Sequence, residues 1–272
     1  MCAKIRAVQP ALVAHRGASA HRAEHTVAAY ALALEQGADG LECDVRLTRD
    51  GHLVCVHDRT VNRTSSGRGV VSTLTLERMA ELDYTVWHPE MPDSADDLVL
   101  GRLPERGDPG VLTLESLLDL VADSPGTKLF VETKHPVRYG GLVEMKVIAL
   151  LSRYGLANPK SKEDSQVVMM SFSAMAVRRV RQHSATLPTV LLMGSLSALR
   201  WDGSLPRAAD YTGPGIRLLR RDPDYVARAA SFGHETYTWT VDDPADVELC
   251  RRLGIRYMAT NSPATTRALL DR

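Results

Sequence analysis

The feature that most constrains the fold of this 272-residue chain is the alternation of short apolar runs with helical patterns. Eight apolar runs lie at residues 12–14, 40–45, 53–56, 129–131, 167–170, 190–193, 237–239 and 257–259. Helical patterns separate most of them, at residues 26–36, 114–121, 142–154, 175–182, 225–232, 245–253 and 263–270. Strands that alternate with helices of this length predict βα units and a parallel sheet. About eight such units predict an α/β fold, a TIM-type (β/α)8 barrel.

The main alternative is an open, doubly wound sheet. Such folds usually carry a GxGxxG phosphate loop after the first strand, whereas this chain has His15-Arg16-Gly17-Ala18-Ser19 there. We therefore expect a single barrel domain over residues 1–272. The stretch 59–110 breaks the rhythm with four prolines. We expect it to form a small insertion or lid after the second strand region, beside the functional site.

Composition narrows the choice of partners. The chain has 33 basic and 33 acidic residues, and this zero net charge argues against a dedicated nucleic-acid binder. It has no apolar run of the ~18 residues that a transmembrane helix needs, and its N-terminus lacks the apolar region of a signal peptide. The four cysteines form no CxxC pair, and Cys43 and Cys55 lie inside apolar runs. These features predict a cytoplasmic protein without disulfides.

Polar residues follow or end several of the apolar runs. They are His15 and Arg16 after the first run, Glu42 and Asp44 in the second, His57 and Asp58 after the third, and Glu132 and Lys134 after the fourth. The carboxyl ends of barrel strands form one rim, and that rim holds the active site. Residues two apart on a strand project from the same face. We therefore expect these side chains to meet at one mouth.

Three carboxylates at one mouth repel one another unless a cation joins them. Glu42, Asp44 and Glu132 offer oxygen ligands, which suit a hard divalent ion, Mg²⁺ or Ca²⁺. Zinc is less favoured, because no HxH or HExxH pair occurs among the nine histidines.

Two histidines beside an arginine and a divalent ion indicate phosphoryl chemistry. One imidazole of His15 and His57 can accept a proton from the nucleophile while the other donates one to the leaving oxygen. The sequence does not decide which does which. Arg16 can bind a phosphate through two hydrogen bonds, and Lys134 adds a compact positive charge.

Each of these features also has a plain structural interpretation. The Glu42/Asp44 pair could be structural, His57-Asp58 could be a turn, and Glu132 and Lys134 could form a surface ion pair. Arg16 could pair with Glu24. We expect the remaining seven histidines, including His25, to lie on the surface or in loops.

Taken together, the motifs resemble those of the glycerophosphodiester phosphodiesterase family. The residues that carry the resemblance are His15-Arg16-Gly17, Glu24-His25-Thr26, Glu42-Cys43-Asp44-Val45, Thr48-Arg49-Asp50-Gly51, Val56-His57-Asp58, Arg63-Thr64, Gly67-Arg68-Gly69, Glu132-Thr133-Lys134, Ser171-Phe172, Trp239-Thr240-Val241 and Thr260-Asn261-Ser262-Pro263. The resemblance covers nearly the whole chain. It departs from the family pattern at His25, where the family usually has Asn, and at Asn261, where Asp is more common.

The resemblance implies a barrel enzyme that hydrolyses small glycerophosphodiesters to an alcohol and glycerol 3-phosphate with a divalent metal. By position, Glu42, Asp44 and Glu132 would bind the metal, and His15 and His57 would be the acid/base pair. Arg16 and Lys134 would bind the phosphate, Phe172 and Trp239 would line the substrate pocket, and Glu24 would support these residues from behind. The family mechanism implies attack by the glycerol 2-hydroxyl and a cyclic phosphate that water then opens.

Two other functions stay open at this point. The same fold could act as a lysophospholipase D, or as a phospholipase-type enzyme that stops at the cyclic phosphate. Such an enzyme needs an apolar surface near the mouth, for which Tyr84, Val86, Trp87 and Met91 are candidates. A non-catalytic barrel that binds a phosphate ligand is the alternative of another class, and it predicts a lost acid/base or metal residue.

Overall fold

A barrel of parallel strands forms the centre of the computed structural model, which describes residues 9–85, 110–194 and 201–272. The strands are β1 (Ala11–His15), β2 (Gly40–Leu47), β3 (Leu53–Cys55), β4 (Lys128–Thr133), β5 (Val167–Ser171), β6 (Thr189–Met193), β7 (Tyr211–Pro214), β8 (Tyr237–Thr238) and β9 (Tyr257–Thr260). Eight of them follow one another in the order β7-β6-β5-β4-β2-β1-β9-β8. Isolated parallel bridges, Thr212 to Thr236 and Gly215 to Trp239, bring the two ends of this order together. The predicted (β/α)8 barrel is confirmed, and the open doubly wound alternative is wrong.

Helices follow most of the barrel strands along the chain. They are α1 (Val27–Glu35), α2 (Leu76–Ala80), α3 (Leu114–Ala122), α4 (Leu142–Arg153), α5 (Ala174–His183), α6 (Ile216–Arg221), α7 (Tyr225–Ser231), α8 (Pro244–Leu253) and α9 (Pro263–Leu270). Local sequence sets their ends. In α1, the Thr26 side chain accepts a hydrogen bond from the backbone N–H of Ala29, and Gly37 follows the helix with a φ of 79°.

Eight parallel strands were expected and found, but one of the predicted strands is not a barrel strand. The apolar run at 53–56 contains β3, which pairs antiparallel with β2 and lies off the barrel path. The missing member is β7, whose Tyr-Thr-Gly-Pro sequence contains no apolar run. His57 and Asp58 therefore follow β3, a strand that pairs antiparallel with β2, and they do not follow a barrel strand.

The period of two along the strands separates the barrel interior from its outer face. Val13, Phe130, Val168, Tyr237 and Tyr257 belong to one buried cluster inside the barrel. Phe130 packs against Tyr237 and Tyr257, with ring centroids 5.4 and 4.9 Å apart. The residues two positions further along the first, fourth and eighth strands are His15, Glu132 and Trp239, which line the cavity above this cluster. Tyr237 of this cluster also lines the cavity, so the packed interior reaches the site.

The segment between β2 and α3 is described only in part. Its first portion forms β3, a short 3₁₀ helix (Val71–Thr73) and α2, packed around a small apolar cluster that includes Val61 and Met79. Residues 86–109 lie outside the described ones, so the expectation of an insertion or lid over 59–110 stays a prediction.

Two further expectations concern the cysteines and the membrane. Cys43 and Cys55 are buried and not in disulfides, as their position in apolar runs predicted. Within the described ranges, no helix combines the length and the apolar character that a membrane crossing requires.

Candidate active site

Three carboxylates meet at the carboxyl end of neighbouring strands. Glu42 and Asp44 project from β2, and Glu132 projects from β4, directly beside Asp44 in the parallel register. All three side chains are buried, and each offers an oxygen within 4.8 Å of the others. The structure therefore brings together the three acids that the sequence singled out.

Two cationic side chains bind these acids. The Lys134 ammonium group lies 2.9 Å from Glu132 Oε1 and 3.2 Å from Asp44 Oδ1. Arg16 Nε lies 3.0 Å from Asp44 Oδ2, and the Arg16 backbone N–H donates to Glu42 Oε2 over 3.0 Å. Lys134 and Glu132 are both buried, so their contact is not the exposed ion pair of the structural interpretation.

The positive charge present does not satisfy all three acids. Burial, reinforced by neighbouring Asp44, raises the pKa of Glu42 well above its ordinary value. Burial also raises the pKa of Glu132 to about 7, although Lys134 opposes this shift. For Asp44, burial acts in the same direction, but Lys134, His57 and Arg16 outweigh it and hold the pKa well below the usual range. Two of the three acids are thus costly to ionise unless a further cation joins them.

The turn after β1 places Arg16 against the acids. Arg16 has a φ of 59° and Gly17 a φ of 87°, both in the left-handed region. A Cβ on Gly17 would lie 2.7 Å from the Cβ and the carbonyl carbon of Ala29, so helix α1 leaves room only for glycine there. This tight turn aims the Arg16 backbone N–H at Glu42.

A hydrogen-bond chain orients His15. The Nδ1 atom of His15 lies 2.8 Å from Asn261 Oδ1. The amide group of Asn261 donates to Asp242 Oδ2 over 2.7 Å, and a carboxylate only accepts, so Asn261 Oδ1 must face His15. His15 Nδ1 then carries the hydrogen, which leaves Nε2 as the nitrogen for proton transfer. Asp242 thus supports Asn261 where the family more often has Asp.

A chain of ion pairs orients His57. Its Nδ1 atom lies 2.7 Å from Asp58 Oδ1. Arg63 donates to Asp58 from Nε over 2.7 Å, and it binds both oxygens of Glu24 over 2.8 Å each. In the sequence, Arg63 is recognisable only as part of the Arg63-Thr64 motif, which predicts no role for it. Glu24 lies behind the site as expected, but its main partner is Arg63, since Arg16 reaches it only at 3.4 Å.

His25 lies in the loop between β1 and α1, so the expectation of a surface or loop position is confirmed for the loop. It is wrong for the surface, because the His25 side chain is buried behind the carboxylates. His25 Nε2 lies 3.0 Å from Asp44 Oδ2, and Nδ1 lies 2.8 Å from the hydroxyl of Tyr30. That hydroxyl donates to the carbonyl oxygen of Glu42 over 2.9 Å. Although His25 departs from the family pattern, it therefore still supplies a polar partner for Asp44.

These groups surround a cavity of about 290 Å³ that two kinds of side chain line. The polar ones are His15, Arg16, Glu42, His57, Glu132 and Lys134, and the others include Met170, Phe172, Leu192, Tyr237 and Trp239. Phe172 meets Trp239 edge to face with ring centroids 5.3 Å apart, and the Trp239 indole N–H donates to the Gly213 carbonyl oxygen over 3.1 Å. The cavity can hold a small anion beside its charged residues and a carbon skeleton beside its aromatic residues.

A parallel barrel with convergent polar side chains at the carboxyl ends of its strands belongs to the α/β-barrel class of enzymes. Within this class, residues 15–265 match the model of the glycerophosphoryl diester phosphodiesterase family. The chain belongs to this family of enzymes, as the motifs of the sequence predicted.

Individual relatives agree with this assignment. A protein described as a probable glycerophosphodiester phosphodiesterase 1, from Mycobacterium tuberculosis, is 49% identical over 270 residues, which cover 98% of this chain and 95% of that protein. A glycerophosphodiester phosphodiesterase of Bacillus subtilis is 34% identical over 257 residues, 92% of this chain and 83% of that protein. Among solved structures, an Oleispira antarctica phosphodiesterase in complex with the product sn-glycerol-3-phosphate matches with a TM-score of 0.79 at 19% identity, over 97% and 98% of the two chains. At that identity, the structural match shows the shared fold alone.

Proposed function

We propose that this enzyme hydrolyses glycerophosphodiesters to an alcohol and glycerol 3-phosphate in the cavity at the barrel rim. The observation that carries the proposal is the cluster of Glu42, Asp44 and Glu132, buried within 4.8 Å of one another at a cavity that His15 and His57 also line. The Oleispira antarctica relative, which binds glycerol 3-phosphate on the same fold, supports the choice of product.

The carboxylate cluster fits a hard divalent cation. Its donors are all oxygens, which favours Mg²⁺ or Ca²⁺ over softer ions. The raised pKa values of Glu42 and Glu132 support this proposal, because a further positive charge would stabilise the ionised cluster. A bound cation would neutralise phosphate oxygens as negative charge develops on them.

The two histidines carry the proton transfers. In the first step, the glycerol 2-hydroxyl attacks phosphorus and gives its proton to one imidazole, while the other imidazole protonates the departing alcohol oxygen. The product of this step is a five-membered cyclic phosphate. Water then opens the ring and the same two imidazoles work in reverse, which yields glycerol 3-phosphate.

The remaining residues bind and orient the substrate. Arg16 and Lys134 hold the phosphate oxygens, and Phe172 with Trp239 packs against carbon atoms of the substrate. Glu24 acts at a distance from the substrate by holding Arg63, which in turn holds Asp58 against His57. We propose that all of these residues belong to one barrel domain, residues 1–272.

No observation favours the lipid-cleaving alternative. Tyr84, one of the four residues named for an apolar surface, is buried in the small cluster beside the barrel. Val86, Trp87 and Met91 lie outside the described residues.

Phosphorus NMR of glycerophosphocholine incubated with the enzyme and Mg²⁺ or Ca²⁺ tests the proposal. We expect the phosphodiester signal to give way to that of glycerol 3-phosphate. Accumulation of the cyclic phosphate as the end product would instead support the lyase alternative. An unchanged spectrum across a panel of glycerophosphodiesters with both cations would contradict the proposed function.

Replacing Arg63 by alanine is expected to lower the free energy of unfolding by about 3–5 kcal/mol, because it removes the main counter-ion of Glu24 and Asp58, whose side chains are only 10% and 5% exposed. Urea denaturation measures this loss. Arg153→Ala is the matched control, because Arg153 forms an exposed pair with Glu115 over 2.7 Å and its loss should change stability little. Equal stability of both variants and the wild type would show that the ion-pair chain does not hold the site.

A further inference from the structure

A second cavity, of about 490 Å³, opens beside the active site. It lies between residues 70–73 and residues 136–139, and we call it the arginine cavity because Arg46, Arg59 and Arg138 line it. The Tyr139 hydroxyl donates to the carbonyl oxygen of Ser72 over 3.4 Å, so the two segments meet at this cavity. Its volume is in the range that holds a small molecule.

Arg46 links the arginine cavity to the active site, because it lines the first and contacts a residue that lines the second. Arg46 follows Asp44 by two positions on β2, so both side chains project from the same face of the strand. Arg46 Nε and Nη2 donate to the carbonyl oxygen of His57 over 2.9 and 2.7 Å. His57 itself lines the active-site cavity. The guanidinium group of Arg46 therefore lies next to the backbone of an active-site residue, which places the arginine cavity beside the active-site cavity.

The arginine cavity carries positive charge that few negative groups neutralise. Its lining includes no acidic residue. Within the described ranges, no carboxylate forms an ion pair with Arg46, Arg59 or Arg138, whereas Arg16 and Arg63 are both paired. An anion in the cavity would balance this positive charge.

We propose that the arginine cavity receives the alcohol part of the substrate, and that the enzyme prefers glycerophosphodiesters whose alcohol carries an anionic group such as a phosphate. This inference rests on the proposed function and specifies the substrate class of that same site. The remaining side chains that line the active-site cavity are largely apolar, Phe172 and Trp239 among them, and would not compensate the desolvation of an anion. Three guanidinium groups would instead repel a cationic alcohol such as choline.

Three substrates that differ in the charge of the alcohol test the proposal. They are glycerophosphocholine (cationic), glycerophosphoinositol (neutral) and glycerophosphoinositol 4-phosphate (anionic). We expect kcat/KM for the 4-phosphate to exceed that for glycerophosphoinositol by about tenfold or more, the effect of one charge-assisted hydrogen bond. We also expect added salt to shrink this ratio. Equal kcat/KM for the two inositol compounds would overturn the proposal.

Variants locate the source of the preference. In the double variant Arg59→Gln/Arg138→Gln, the ratio between the two inositol substrates should fall toward one. The control Arg178→Gln/Arg252→Gln removes the same charge from two exposed positions away from the cavity and should keep the wild-type ratio. A ratio that survives in the cavity variant would overturn the proposal.

The same experiment separates this inference from the proposed function. Turnover of the three substrates without a preference for the anionic one supports hydrolysis but contradicts the role of the arginine cavity. If no substrate is hydrolysed, the proposed function fails. Calorimetry with intact glycerophosphoinositol 4-phosphate then tests whether the arginine cavity binds an anion. If the double variant Arg59→Gln/Arg138→Gln binds this compound about tenfold or more weakly than the wild type, the cavity is supported as an anion site. Equal binding by the wild type and the double variant contradicts it.

Discussion

Replacing His57 by alanine is expected to lower kcat for glycerophosphocholine about 10²- to 10⁴-fold, the usual range for a proton-transfer group, and His15→Ala should do the same. Both imidazoles line the cavity, and each is oriented through Nδ1, by Asp58 and Asn261 respectively. Steady-state kinetics with saturating cation measures the loss.

The pH profile separates a proton-transfer role from a structural one. Burial lowers the pKa of His57 below the ordinary 6.5, and the charges of Arg16 and Lys134 add to the shift. One limb of the wild-type profile should therefore lie below pH 6.5 and disappear in His57→Ala. His52→Ala is the matched control, since the side chain of His52 is 53% exposed, and it should retain wild-type kinetics. Near-wild-type rates in both active-site variants would show that the acid/base assignment is wrong.

The fold was predictable because the barrel depends on a pattern that short windows of sequence reveal. Apolar runs predicted β1, β2 and β4, and the helical pattern at residues 26–36 predicted α1. The pattern failed where a strand has no apolar run, as in β7. It also misplaced β3, because a four-residue apolar run looks the same whether it joins the barrel or folds back on its neighbour.

The site was predictable where two rules acted together. The period of two along a strand places Glu42 with Asp44, and the shared rim of parallel strands brings Glu132 beside them. The partners that orient these groups follow no local rule. Arg63 reaches Glu24 across 39 residues, and Asn261 reaches His15 across 246. Such contacts depend on the closed barrel, so the sequence could not assign them.

Removing divalent cations is expected to abolish turnover, with a loss of at least about 10³-fold, because a bound cation contributes several kcal/mol of charge stabilisation. The carboxylate cluster gives the physical reason. Without a cation, the raised pKa values of Glu42 and Glu132 make the fully ionised cluster unfavourable. Glu132→Gln removes one oxygen ligand charge and should raise the cation concentration needed for half-maximal rate about tenfold or more. Glu115→Gln, at an exposed position on α3, should leave that concentration unchanged.

Turnover of glycerophosphocholine by the cation-depleted enzyme, followed by phosphorus NMR before and after Mg²⁺ or Ca²⁺ is returned, tests the account most directly. We expect no glycerol 3-phosphate in excess chelator and restored production once either cation is added. Undiminished hydrolysis in excess chelator would mean that Glu42, Asp44 and Glu132 meet for some reason other than to hold a metal for this reaction.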